Sequence, residues 1–344
     1  MHINWLAYNY DYRDGYGRYA THLAKALLRQ HVSLTPILRE QLTLPVWMRQ
    51  LQGIDIKRLT IAVMPPYFLQ PLPNQWLITM TEGSDLPYKE NWAEYCNLHA
   101  KRVIVPCQAN ADTFRAGGVE VPISVVPGGT DPTEFPFIHR NGVERPYTFL
   151  ALADRGARKG WTDVWEAFHL AFGLVGDTSN VRIVFKARPH SNPFFEKIAG
   201  LKSADPRIRF WLADVPHPAD IYRAADCFAI PSRSEGWGMP MREAAMMGLP
   251  VIVSQHTGLD DGATEKWAIV CEKTTSERIP DYQEHVSGTW KRVDVPELAE
   301  KMRWCYDNQE AAREKGANAA FWLRTNQTWE HAAGKLLELI GECA

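Results

Sequence analysis

The sequence predicts an α/β chain with two blocks of parallel sheet covered by helices on both faces, and three observations carry that expectation. Short apolar runs alternate with helix-patterned segments from one end nearly to the other, as parallel strands joined by crossover helices do. The 344 residues suffice for two domains of ordinary size, each with its own core. A stretch rich in proline, glycine and charge, PGGTDPTEFPFIHRNGVERP, parts the two blocks and reads as an interdomain linker.

In the first block, His2–Ala7 reads as a strand, 17–28 as a helix after a glycine-containing loop, and 33–38, 76–80 and 102–106 as further strands. Val125 and Val126 begin the last strand before the linker. The second block opens with a strand at 147–153 and continues through Val181–Lys186, 208–212, 226–230, 250–253 and 267–271. Helical segments dominate from Val295 onward, ending in a helix at about 329–340, and no internal repeat is present. Leu44, Trp47, Met48 and Leu51 share one helical face. Without a flanking basic cluster that stripe is expected to pack on a sheet rather than lie on a membrane.

Composition narrows the function classes. Lys plus Arg number 38 against 40 Asp plus Glu, for a formal charge of −2 with no long run of either sign, so no polyanion-binding tail is expected. No apolar run is long enough to span a bilayer, and the first residues lack a signal peptide's basic start and apolar stretch, which points to a soluble cytoplasmic protein with peripheral membrane contact left open. The Asn326-Gln327-Thr328 sequon is then without consequence. Six cysteines without C-x-x-C spacing read as reduced, mostly buried thiols. Eleven histidines show neither H-x-x-x-H nor H-E-x-x-H, so no metal site is expected.

The densest chemistry lies in AADCFAIPSRSEGWGMPMREAAMMGLPVIVS, 225–254. A short apolar strand runs into a loop at 232–239, then a helix at 240–247, then another strand. Gly236 and Gly238 let backbone approach a ligand, Pro240 suits a first helical turn, and the amides of Trp237, Gly238 and Met239 lie at the positive helix end. Glu235 and Glu243 flank this turn with seven residues between them. An ionised carboxylate accepts from two neighbouring hydroxyls at once, as ribose and hexose diols offer. The plainer reading is that Glu243 complements its helix dipole and Glu235 is a solvated loop charge.

The E-x7-E pattern followed by A-x-x-x-G-x-P-V-I resembles the signature of the GT4-type retaining glycosyltransferase family, the glycosyl transferases group 1 of GT-B fold. Pro127, Gly129 and Asp131 match the family's V-P-x-G-x-D turn, and Arg158-Lys159-Gly160 its R-K-G loop. The resemblance implies GT-B architecture: two Rossmann-like doubly wound parallel-sheet domains facing a cleft, with a C-terminal helix crossing back to the first. The domains it implies are 1–140 on the acceptor side, 141–325 for the nucleotide sugar, and 326–344 for the returning helix. It further implies a metal-independent hexosyltransferase-like enzyme with no bound cofactor. Its donor substrate would be a UDP- or GDP-sugar, and its acceptor a saccharide or glycoconjugate.

By position, Glu235 would face the donor sugar and Glu243 the ribose, while Lys159 and Arg155, with Arg158 the alternative to Arg155, would grip the diphosphate. Fixed cations there stabilise the charge that develops on a departing nucleoside diphosphate. Lys186, at a strand's carboxyl end, is a further donor-side candidate. In the first block the family places a glycine loop beside the donor phosphates, which nominates Gly15, Gly17 and Arg18. Gly15-Tyr16-Gly17-Arg18-Tyr19-Ala20 also fits G-x-G-x-x-A, the mark of an NAD-dependent oxidoreductase, although the loop after Tyr8 is long for that fold. T-M-T-E, ending at Glu82, stands where many relatives carry His-Asp, so Glu82 is the candidate to orient an acceptor hydroxyl. A glycoside hydrolase or phosphorylase, a non-catalytic sugar-binding or partner subunit, and a small metabolite or modified nucleic acid as acceptor stay open.

Overall fold

The computed structural model describes residues 1–10, 14–38, 41–42, 48, 52–87, 90–140, 145–153, 156–173, 180–187, 205–255, 257–259, 264–279 and 286–343. The chain divides into two compact units, each discontinuous in sequence: Met1–Gly129 with Ile279–Thr289 and Gln327–Ala344, and Thr130–Arg278 with Trp290–Asn326. The sequence placed the first boundary at 140 and assigned 279–289 to the second domain; by contact the boundary falls at Gly129 and that segment joins the first unit.

The first unit holds six parallel strands, β1 (His2–Ala7), β2 (Ser33–Ile37), β3 (Thr60–Val63), β4 (Gln75–Ile78), β5 (Arg102–Val105) and β6 (Ile123–Val125), in the order β2-β1-β3-β4-β5-β6. The helix α1 (Gly15–Arg29) starts two residues before the expected bound because the Asp14 carboxylate caps it, accepting from the Gly17 amide at 3.0 Å. Tyr19, Ala20, Leu23, Ala26 and Leu27 form its buried face. Helices α2 (Trp92–His99) and α3 (Gln108–Ala116) also belong to this unit. β3 escaped the sequence reading. Of the expected stripe, Leu44, Trp47 and Leu51 lie outside the described residues.

The second unit repeats the plan with β7 (Tyr147–Leu152), β8 (Val181–Lys186), β9 (Ile208–Trp211), β10 (Cys227–Ile230), β11 (Val251–Ser254) and β12 (Ile269–Cys271), in the order β12-β11-β10-β7-β8-β9. Its helices include α4 (Trp161–Phe172), α5 (Asp220–Arg223), α6 (Met239–Met246), α7 (Thr264–Trp267), α8 (Val295–Asp307) and α9 (Gln309–Asn326). Trp267, expected to open a strand, instead closes α7. A two-stranded ribbon of β13 (Thr274–Arg278) and β14 (Thr289–Val293) was not foreseen. Phe149, Phe168, Phe172, Ile183 and Phe185 fill the core on one face of the sheet, and Phe228, Ile230, Val251 and Val253 contribute to the other.

The last helix, α10 (Trp329–Glu342), belongs to the first unit and packs on α1. Trp329 meets Tyr19 edge-on at 4.8 Å and stacks on His22 at 5.5 Å. Gln30 donates to the Glu330 carbonyl at 2.8 Å, and Thr328 with His331 closes a capping box. Among the described residues no helix is long and apolar enough to cross a membrane, and no cluster of three or more His, Cys, Asp or Glu could hold a metal ion. Five cysteines are buried, and none of the six is in a disulfide.

Candidate functional site

Strand order locates the site in the second unit. The chain winds from β7 toward β8 and β9, then from β10 toward β11 and β12, so the topological switch point lies between β7 and β10. Ligands of open α/β sheets bind outside the carboxyl ends of the strands at such a point. Those two ends carry the loops singled out from the sequence: Arg158-Lys159-Gly160 after β7, and 231–238 after β10.

The two loops are joined closely. Gly160 adopts φ +67°, and a Cβ there would stand 2.2 Å from the Pro231 carbonyl oxygen, so only glycine fits. The Arg233 amide donates to the Arg158 carbonyl at 2.7 Å, and the Arg158 guanidinium donates to the Ser234 carbonyl at 2.7 Å. Gly258 backs the Glu235 peptide, and a Cβ there would come within 2.3 Å of the Glu235 carbonyl oxygen.

At the centre, Glu235 accepts from Lys159 Nζ at 2.5 Å through Oε1 and pairs with the Arg158 guanidinium at 3.1 Å through Oε2. All three side chains are under 10% exposed. The carboxylate between Lys159 and Arg158 offsets part of the cost of burying them. Lys159 and Arg158 bring two cations to this carboxylate, and the head of α6, with its partial positive charge, lies nearby in sequence. Glu235, expected to face a sugar, is here directed at the pair expected to grip phosphates. Arg155 lies outside the described residues; Arg158, its alternative, pairs with Glu235.

Glu243 sits on α6, buried, and accepts from the Tyr222 hydroxyl at 2.9 Å. Gly236, Trp237, Gly238 and Met239 form the turn into α6, with Gly238 at the cap. Arg242, wholly buried, donates to the Trp237 carbonyl and lies 3.6 Å from the centre of the Trp237 ring and 4.9 Å from that of Trp267. This stack fixes the turn carbonyl by a planar cation. Lys186 is buried at the end of β8, donates to the Ala187 carbonyl at 2.8 Å and lies 5.7 Å over Trp211.

In the first unit, the Tyr16 hydroxyl donates to the Met80 carbonyl at 3.0 Å and lies 3.1 Å from Thr79 Oγ1. Gly15, Gly17 and the T-M-T-E segment are thereby brought together, and burial pushes the Tyr16 phenol well above its ordinary range. The Gly17 amide, which a dinucleotide pyrophosphate would use, is already taken by Asp14. Arg18 follows within α1. Glu82 is half-buried in the bend beyond β4 rather than at the strand edge. Just past it, a cavity of about 450 Å³ opens among Ser84, Asp85, Leu86, Trp92 and Thr113.

Sequence reasoning missed Arg233, Asp163, Tyr222 and Arg242. Arg233 and Arg242 stand beside the two glutamates in sequence, and that adjacency was a usable signal. Tyr222 and Asp163 carried none.

The comparisons with known proteins bear on the fold and on part of the chain. Residues 192–336 match the family model described as Family 4 Glycosyltransferase in conflict systems. The D-inositol 3-phosphate glycosyltransferase of Corynebacterium kroppenstedtii is 40% identical over 75 residues, a stretch that is 20% of this chain and 17% of that relative. Among solved structures, Anabaena HepE in complex with UDP superposes with a TM-score of 0.68 at 15% identity, over 99% of this chain and 100% of that one. Sucrose-phosphate synthase from Thermosynechococcus elongatus gives 0.69 at 17%, over 100% and 99%. The glycosyltransferase WaaG gives 0.64 at 15%, over 99% of both chains. The fold is therefore GT-B. The resemblance to GT4-type chains, read first from E-x7-E, extends to a family match over 192–336.

Proposed function

We propose that this chain is a retaining, metal-independent glycosyltransferase that moves a sugar from a nucleotide-sugar donor to an acceptor hydroxyl. The observation that carries the reading is the convergence of Lys159, Arg158 and Glu235 at the switch point of the second sheet, joined through Gly160 and Pro231 to the turn that opens α6. Two buried cations beside a helix N-terminus suit a diphosphate. Glu243 with Tyr222 suits a ribose diol. HepE was solved with UDP, which favours a UDP-sugar here, with a GDP-sugar the alternative.

In the proposed reaction the bond between the anomeric carbon and the phosphate oxygen breaks, and a bond from that carbon to the acceptor oxygen forms on the same face. The acceptor's proton passes to the departing phosphate oxygen. Lys159 and Arg158 hold the charge that grows on the diphosphate, so their contribution is larger in the transition state than in the ground state. Glu235 holds both cations in place and accepts from a sugar hydroxyl. Glu82 orients the acceptor, a saccharide or glycoconjugate. The oxidoreductase alternative is disfavoured because Asp14, an anion, already caps the helix at which a pyrophosphate would bind.

The test is thermal stabilisation by UDP-, GDP-, ADP- and dTDP-sugars and by NAD, with Glu243→Ala alongside. A ligand at 100 times its dissociation constant adds about 2.7 kcal/mol. One sugar nucleotide should stabilise the wild type and not the variant. Stabilisation by NAD alone would replace the reading with the oxidoreductase, and binding of a sugar nucleotide without turnover would replace it with a sugar-binding subunit.

A further inference from the structure

Two residues that the proposed reaction does not use lie where the loops of the site meet. Arg233 stands two residues before Glu235. Its guanidinium donates to the Asp163 carboxylate at 3.1 Å and to Glu277 at 3.0 Å, and lies 5.5 Å over the Trp290 ring. Its backbone is committed on both sides, the amide to the Arg158 carbonyl at 2.7 Å and the carbonyl to the Lys291 amide at 2.9 Å. One residue thus touches the loop after β7, the first turn of α4, and both strands of the β13–β14 ribbon.

Asp163 is the other half. It lies in the first turn of α4, one turn after Lys159, and is wholly inaccessible to solvent. A carboxylate in that position is tolerated only when fully compensated. It takes a second guanidinium from β14, Arg292 Nε at 2.9 Å, and in return holds Arg292 above its ordinary pKa. Two arginines from two different elements therefore converge on one buried anion.

We infer that Arg233 and Asp163 are positioning residues for the Lys159, Arg158 and Glu235 cluster, setting the distance between the loop after β7 and the loop after β10. This rests on reading that cluster as the donor-phosphate site. The pair touches no substrate and acts only through the two loops. Misplacement of a charge by about 1 Å can cost on the order of 100-fold in rate. Loss of a stabilising ion pair with no part in the site would lower the melting temperature and leave the turnover of folded protein alone.

The experiment uses the full chain with Asp163→Asn, Arg233→Ala and Arg233→Lys. Arg145→Lys is the control, since Arg145 pairs with Asp226 at the opposite end of β10. Amide hydrogen exchange by mass spectrometry should quicken at 156–160 and 232–239 in the first three and not in the control. With the sugar nucleotide that the wild type turns over, kcat should fall on the order of 100-fold in Asp163→Asn while the donor KM moves less than about threefold. Arg233→Lys should recover part of the rate lost in Arg233→Ala. Unchanged exchange in the two loops, or exchange raised equally across the chain, overturns the inference. So does a loss of melting temperature with kcat preserved. A wild type that turns over none of the donors defeats the proposed function instead, and the exchange pattern still decides whether this pair sets the loops.

Discussion

Replacing Lys159 by alanine separates the stability of the cluster from its use. In the variant, Arg158 remains 3.1 Å from Glu235 and keeps its bond to the Ser234 carbonyl, so the carboxylate stays paired. The folding cost is then that of one charge-assisted hydrogen bond, about 1.5–3 kcal/mol, rather than the 3–5 kcal/mol or so of leaving a buried ion alone. Turnover should suffer more. Two unit charges about 4 Å apart interact by about 4 kcal/mol at an effective dielectric of about 20. Loss of one oxyanion-type donor costs about 2.7–4 kcal/mol of transition-state stabilisation, or roughly 10²–10³-fold in kcat. The assay is release of nucleoside diphosphate from the donor that stabilises the wild type, on protein whose circular dichroism and melting curve show it to be folded. A folded Lys159→Ala protein turning over within about threefold of wild type would remove Lys159 from the chemistry.

Three further outcomes are expected. Tyr222→Phe takes a hydroxyl from the buried Glu243 carboxylate and should lower the free energy of urea unfolding by about 1.5–3 kcal/mol; an unchanged midpoint and slope would show that the bond contributes nothing. Arg242→Gln removes the cation between Trp237 and Trp267 and should cost about 2 kcal/mol or more, with a change in tryptophan emission as the stack opens. Identical emission and stability would count against the stack. Asp205, whose pKa the Arg207 guanidinium depresses, contributes stability that is complete above its unfolded value of about 3.9 and is lost as pH falls through the lower folded value. The gap in melting temperature between wild type and Asp205→Asn should therefore hold from pH 7 to about pH 5 and close below about pH 4; a gap that survives in stronger acid would assign the effect to packing.

How much of this was legible in the sequence depended on whether a segment's stability is local. β1, β7 and β8 are six-residue strands rich in apolar residues, and they stand within a residue of where the pattern put them. β3, TIAV, lies in the run from Leu59 to Met64 and is no shorter than β4 or β5, so its pattern was available and went unread. The ribbon strands TTSER and TWKRV are polar and partly exposed, and the contacts that hold them, Lys291 on Arg233 and Arg292 on Asp163, are tertiary. At the site, the residue types were readable because Glu235, Glu243 and Lys159 sit in a loop grammar that punctuates strand and helix. Their partners were not. Tyr222 reaches Glu243 from 21 positions away, and Asp163 reaches Arg233 from 70. Such pairs are set by which strands are neighbours in the sheet, and no local pattern encodes that.

The placement of α10 in the first unit has a consequence for biosynthesis. The face of α1 that carries Tyr19 and His22 is covered by Trp329, a residue made about 200 positions after the first unit's sheet is complete. At ribosomal speeds of about 5–20 residues per second, that aromatic surface waits roughly 10–40 s for its cover. During this interval the second unit is being made.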